Sequence, residues 1–410
     1  MKKSKLSFKE KKEKNMSYKK FPLIIFLISI SFFSRAIAIY FFGDTNLDYE
    51  WGFIISNLET SNIFAFRTVD GVVVPNIFMP PLYPFFLYII KIITNDSNYF
   101  VQIILFLQVL FSLYYIFIFY KLTLKFFSAK LSYLISLVFS LLPIHIYATS
   151  QISSASIHLG FLIIYFYYFL NFVDNETRAN LFLFSLFSAI LILLRGEFIA
   201  FHILTLSYYY FTKKKIKYLF LSFLITLIVT SPYLIRNYKI FGVVAIAKAE
   251  GYDLWKGNNP SSSVEGYAII QNKNLQMKIN ELKPTKDYDL KIDRLFKEQA
   301  LEYIIENPFR YLKLYFKKAV AFLFVNTNSS YPNYYNPLHI IPKLILGITT
   351  LIGVFLVRKN ESFFSYLSLY YFFSIALFSV FFILPRYSLS LIPIQLLLSA
   401  HILKKMKPNL

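Results

Sequence analysis

The chain has 410 residues, of which 57% are hydrophobic, 20% aromatic and only 16% charged, and its mean hydropathy is +0.52. This composition excludes an ordinary soluble domain, and the lack of cysteine excludes disulfides and thiolate metal centres. The net charge of +21 would suit nucleic acid. Its basic residues, however, flank apolar runs, where positive-inside bias and anionic head groups account for them, so membrane lipids are the expected partners and nucleic acid is not.

Apolar runs of membrane-spanning length recur along the whole chain. They predict an all-α polytopic membrane protein, because helices satisfy their own backbone groups in lipid. The ~10-residue alternation of a transmembrane barrel does not appear. Residues 1–20 carry nine Lys against two Glu and read as a basic cytoplasmic tail ahead of a signal-anchor helix near Phe21–Phe42. Residues 43–98 then form an outer loop, within which Pro80-Pro-Leu-Tyr-Pro84 breaks the chain and feeds a short interfacial helix, Phe85–Ile93.

Further spans are expected near Tyr99–Tyr120, Leu131–Tyr147, Ser153–Phe172, Leu181–Leu194, Phe198–Phe211 and Tyr218–Leu234. Residues 21–235 thus make an N-terminal transmembrane module. Residues 236–337 are the one long polar stretch, an outer-face region with an amphipathic helix (Asp287–Glu306) and an interfacial segment (Phe309–Phe324). Residues 338–410 return to the membrane in spans near Leu338–Val357, Phe363–Leu384 and Leu389–Leu403. This makes about 10 helices (range 8–13) with both termini cytoplasmic. No internal repeat stands out, against an inverted-repeat transporter.

Two of the chain's 22 carboxylates, Asp48 and Glu50, fall just past the first span, where an acidic group is costly unless it pairs, binds or does chemistry. On this topology Arg195, Arg236 and Arg386 each follow an apolar run at the outer face, where Arg is disfavoured. Each alone reads equally as a snorkelling anchor or a partner for a carboxylate such as Glu197. Together they suit an anionic ligand, since guanidinium matches phosphate geometry. Asp48-x-Glu50 is also a pair of hard oxygen ligands, but two carboxylates are too few to expect a metal. The five histidines are scattered, and no phosphate loop, zinc motif or Ser-His-Asp order stands out. No cofactor is expected.

A series of pieces runs in one order over nearly the whole chain: Asp48-Tyr-Glu-Trp with Asn57-Leu58, Pro80-Pro-Leu-Tyr-Pro84, Leu194-Arg-Gly-Glu197, Ser231-Pro-Tyr-Leu-Ile-Arg-Asn-Tyr-Lys-Ile-Phe-Gly242, Leu254-Trp-Lys-Gly-Asn-Asn-Pro260, Glu302-Tyr-Ile-Ile-Glu-Asn-Pro308 and Arg386-Tyr387. With these pieces the chain resembles a membrane glycosyltransferase of the GT-C superfamily. It is similar to bacterial relatives of the dolichyl-phosphate-mannose–protein mannosyltransferases and of the lipid A aminoarabinose transferase. The resemblance implies a GT-C type fold, a polyprenyl-phosphate sugar donor, a glycan, lipid or protein acceptor, and transfer of a hexosyl or pentosyl group on the outer face of a bacterial cytoplasmic membrane. It makes Asp48 the base, assisted or replaced by Glu50. Arg236 and Arg386 are the better phosphate ligands, and Arg195 either joins them or pairs with Glu197.

Tyr83 and Tyr387 line the donor site or belong to the interfacial belt. Trp255, Asn258 and Asn259 contact sugar or acceptor, or simply form a Gly-Asn-Asn-Pro turn. Relatives often carry a second acid in the next outer loop. Tyr147–Ser156 has none, which leaves Gln151 as a neutral substitute. The alternatives are a transporter or flippase of polyprenyl-linked glycans, which would place polar groups deep in several helices, and a polysaccharide polymerase or ligase with a major late loop.

Overall fold

The computed structural model describes residues 8–47, 49–95, 99–331, 336–358 and 361–407, with residues 8–21 and Tyr49 as backbone only. Helix α1 (Phe8–Phe42) leads to α2 (Tyr49–Ser61), a two-stranded hairpin β1 (Arg67–Val69) and β2 (Val72–Val74), and α3 (Leu82–Thr94). The bundle continues through α4 (Phe100–Thr123), α5 (Ala129–Leu141), α6 (Pro143–Thr149), α7 (Ser154–Asn175), α8 (Arg178–Leu194), α9 (Phe198–Lys213) and α10 (Ile216–Phe241). The polar region contributes α11 (Glu250–Asn258), α12 (Lys273–Asn280), α13 (Tyr288–Glu306) and α14 (Pro308–Leu323). The chain closes with α15 (Pro337–Phe355), α16 (Ser362–Ser379), a 3-10 turn (Pro385–Leu391) and α17 (Ile392–Met406).

The helices start and stop for local reasons. Ser128, Ser153 and Thr177 cap α5, α7 and α8 by accepting from the backbone N–H of Leu131, Ala155 and Asn180. Asn95, Glu176, Lys214 and Gly242 end α3, α7, α9 and α10 in the left-handed conformation. Pro80 and Pro81 end the preceding extended segment and start α3.

Among the described residues, seven helices are long and apolar enough to cross a membrane, or eight if the bent pair α5/α6 counts as one span. The ten expected spans are thereby reduced in three places. The segment read as one helix over 131–147 bends by 57° where Leu142 turns extended ahead of Pro143. α8 and α9 have only 17 and 16 residues, short of the ~20 that a 30 Å hydrocarbon layer requires. α4, α7 and α17 are the more buried spans, whereas α1, α10 and α15 present most of their apolar surface outward.

Contacts define two ends. At the basic end Lys125 pairs with Asp174 (2.7 Å), Lys215 with Glu176, and Lys405 with Glu361 (2.8 Å), while Phe126 stacks on Phe363. At the other end Asp44 joins two loops: its N–H donates to Ser150 O (3.1 Å), and its Oδ2 accepts from Ile152 N (2.6 Å). Here the hairpin and α11–α13 share a separate apolar core of Val74, Ile77, Phe78, Phe241, Trp255 and Phe296.

One charge lies deeper than the sequence suggests. Arg35 of α1 is fully buried, donating to Ser31 O (3.0 Å) and Ser140 O (3.2 Å) and lying 3.3 Å from the His145 ring, which also bonds the Tyr115 hydroxyl (2.7 Å). The group takes up a carbonyl freed at the α5/α6 break, as backbone at membrane depth requires.

Candidate functional site

At the loop end a cavity of about 580 Å³ opens between the bundle and the loop module. The bundle supplies an apolar wall that includes Leu194, Ile199, Ala200, Leu377 and Phe378. The loops supply charge. Glu50 enters from the start of α2, Arg195 and Glu197 from the α8–α9 corner, Glu250 and Asp253 from α11, and Arg386 with Tyr387 from the 3-10 turn.

The two guanidinium groups differ in their engagement. Arg195 lies 3.8 Å from Glu197 and 5.5 Å from the centre of the Tyr387 ring. Arg386 is exposed to the cavity, and among the described residues its guanidinium has no ion pair or hydrogen bond. It is the freer anion ligand.

Asp253 is the residue that the sequence reading passed over. Its carboxylate is partly buried at the cavity, and among the described residues it makes no ion pair or side-chain hydrogen bond. Burial first, then Glu197, pushes it up to about 7, with Asp293 and Glu250 adding to the rise and Lys256 opposing it. Neighbouring Glu250 is engaged by Lys248 at 2.5 Å. A signal existed in the sequence: Glu250 and Asp253, three residues apart, share one helical face in a chain poor in carboxylates.

The segment around Asp253 is held by backbone contact on both sides. A Cβ on Gly251 would fall 2.0 Å from Asp293 O, and one on Gly257 would fall 2.0 Å from Phe381 O, so only glycine permits these approaches. Asp293 Oδ1 accepts from Tyr252 N (2.9 Å). Trp255 is buried against Phe296 at 4.6 Å. Asn258 donates to Leu254 O and Val380 O (both 2.9 Å) and accepts from Lys318 Nζ (3.0 Å), while Asn259 donates to Tyr267 O (2.7 Å).

The expected residues therefore divide. Glu50, Tyr83, Arg195, Arg386 and Tyr387 line the cavity. Asp48 lies outside the described residues. Trp255, Asn258 and Asn259 do not line it, because Trp255 packs on Phe296 and the amides of Asn258 and Asn259 are bonded to Leu254, Val380, Lys318 and Tyr267. Arg236 is also elsewhere: it donates to Asn76 O (2.9 Å) and Asn237 Oδ1 (2.7 Å), with the rings of Phe64, Tyr233 and Phe241 at 5.2 to 5.6 Å. Asn76 in turn accepts from Phe78 N and Met79 N, so Arg236 braces the wall that those two residues form. The Gln151 side chain donates to Phe42 O (2.6 Å), and its backbone carbonyl accepts from Nε2 of Gln108 (3.0 Å), whose Oε1 takes the Tyr83 hydroxyl (3.1 Å). It ties loops together beside the cavity.

An ion pair between a partly buried arginine and a buried aspartate shapes the module. Arg67 lies 3.3 Å from Asp289 and over the rings of Phe66 and Phe78. Burial raises Asp289 to about 6 despite that arginine and a bond from Ile77 N. Among the described residues no group of three or more His, Asp or Glu side chains is arranged to hold a metal ion.

No protein-family model matches the chain, and no curated protein matches it in sequence.

Proposed function

We propose that this protein is a membrane glycosyltransferase that moves a hexosyl or pentosyl group from a polyprenyl-phosphate donor to a hydroxyl acceptor. One observation carries the reading: a single cavity, bounded by the apolar end of the bundle, holds the guanidinium of Arg386 together with the carboxylates of Glu50 and Asp253, none of which has an ion pair or side-chain hydrogen bond among the described residues. A lipid phosphate needs the first beside an apolar surface, and proton removal from a poorly acidic hydroxyl needs the second.

In the proposed step the acceptor oxygen forms a bond to the anomeric carbon as the carbon–oxygen bond to phosphate breaks. The electron pair leaves on the lipid phosphate, where Arg386 and Arg195 stabilise the added charge. The acceptor proton passes to a carboxylate. A single displacement inverts the anomeric centre, and no covalent sugar–enzyme intermediate forms. The prenyl chain lies against the wall of Ile199, Leu377 and Phe378. The Lys-rich end faces the cytoplasm of a bacterial inner membrane with both termini, and the cavity faces outward.

The test is turnover of a panel of polyprenyl-phosphate hexoses and pentoses by purified protein, with native membrane lipids, glycans and proteins as acceptors. Release of sugar-free polyprenyl phosphate with a labelled acceptor supports the reading. Binding of every donor with turnover of none contradicts it.

A further inference from the structure

We propose that Asp253 of α11 is the general base of the transfer, the group that touches the acceptor hydroxyl and takes its proton. The proposal rests on the glycosyltransferase reading above and names the acceptor side of the same cavity.

The geometry sets Asp253 apart from the other carboxylates that line the cavity. Glu197 faces Arg195 at 3.8 Å, and Glu250 is paired with Lys248. Glu50 is exposed and sits at the outer start of α2. Among the described residues, Asp253 alone joins partial burial with a lone carboxylate, on a helix whose position is set by two backbone approaches, at Gly251 and Gly257. A base must be held within hydrogen-bond reach of its proton, and a side chain on a pinned helix is held more firmly than one on a loop.

Its surroundings tune it for the task. Glu197 faces it from the α8–α9 corner, Asp293 from α13, and Glu250 and Lys256 from its own helix. Arg386 also acts on Lys256, and Tyr387 feels Asp253, Arg386, Arg195 and Glu197 together. Three carboxylates against one near lysine, with burial, raise its proton affinity toward neutrality, where a base both is deprotonated and accepts strongly. The proton lost by the acceptor oxygen ends on Asp253 as the new carbon–oxygen bond forms, and the electrons of the broken bond leave with the lipid phosphate.

The test compares wild type with Asp253→Asn and Asp253→Glu, using polyprenyl-phosphate hexoses and pentoses as donors and native membranes as acceptor. Asp253→Asn is expected to lower turnover about 10²- to 10⁴-fold while binding polyprenyl phosphate as wild type does. Wild-type turnover is expected to rise with pH through about 7, a limb that Asp253→Glu keeps and Asp253→Asn loses. Dicyclohexylcarbodiimide, which reacts with protonated carboxyls, is expected to label Asp253 less as pH rises through the same value. Wild-type turnover matched by Asp253→Asn overturns the base assignment and leaves the enzyme reading standing. Absence of wild-type turnover with every donor overturns both. Weak donor binding by Asp253→Asn assigns the residue to binding and overturns the proposal.

Discussion

Gly257 and Phe381 meet backbone to backbone: a Cβ at position 257 would stand 2.0 Å from the Phe381 carbonyl oxygen. That contact seats α11 against the segment after α16. It thereby fixes the distance between Asp253, about one helical turn away on one side, and Arg386, five residues along on the other.

Gly257→Ala is expected to move that segment or strain α11, because a carbonyl cannot rotate out of the way as a flexible side-chain tip can. Overpacking of this kind costs about 1–3 kcal/mol. The unfolding temperature of purified protein should fall, and turnover should fall further than the stability loss explains. Wild-type stability in the alanine variant would show that α11 is not seated here.

Two arginines that read alike in sequence should behave oppositely. Arg236→Ala removes donors to Asn76 O and Asn237 Oδ1, and bonds from charged groups contribute about 1.5–3 kcal/mol each, so this variant loses stability. Arg386→Ala removes no bond within the described residues. It should keep its unfolding temperature and lose about 10²-fold in turnover, the scale expected for one donor to developing charge. Unfolding curves and donor kinetics on the pair check both statements.

Asp253 gives a pH-dependent stability signature. Its folded value of about 7 lies above the ~3.9 of an unfolded aspartate. The folded state therefore holds the extra proton between those values, and stability falls as pH rises through that window. Asp289, raised to about 6, acts with the same sign. Asp253→Asn removes its share, so at pH near 8 the variant should unfold at a higher temperature than wild type while turning over less. Near pH 4 the advantage should vanish. A variant less stable than wild type at every pH would make Asp253 part of the framework.

Much of the bundle was legible because membrane burial leaves a one-dimensional trace: long apolar runs with basic flanks mark α1, α4, α7, α10 and α15–α17 directly. Pro143 was a visible break that the reading ran through, since the apolar run continues across it. α8 has the composition of a span and lacks the length, and α9 is shorter still. At the site, Glu50, Arg195 and Arg386 were legible as charges beside apolar runs. Arg236 carries the same local signal, and only Asn76, 160 residues away along the chain, decides that it is framework. Trp255 and Asn258 look like ligand contacts for the same reason: their partners at Phe296, Val380 and Lys318 are distant in sequence, while Asn259 is held by Tyr267 O in its own loop. They shape the cavity by holding the helix that presents Asp253.

The most direct measurement follows a polyprenyl-phosphate sugar, labelled in both sugar and prenyl chain, in sealed liposomes carrying the purified protein and an acceptor extract. The account predicts that the two labels part: sugar appears on the acceptor, polyprenyl phosphate remains in the bilayer, and Asp253→Asn and Arg386→Ala each suppress the separation. Intact donor crossing from one leaflet to the other with both labels still joined would contradict glycosyl transfer and make the protein a carrier of the lipid-linked sugar.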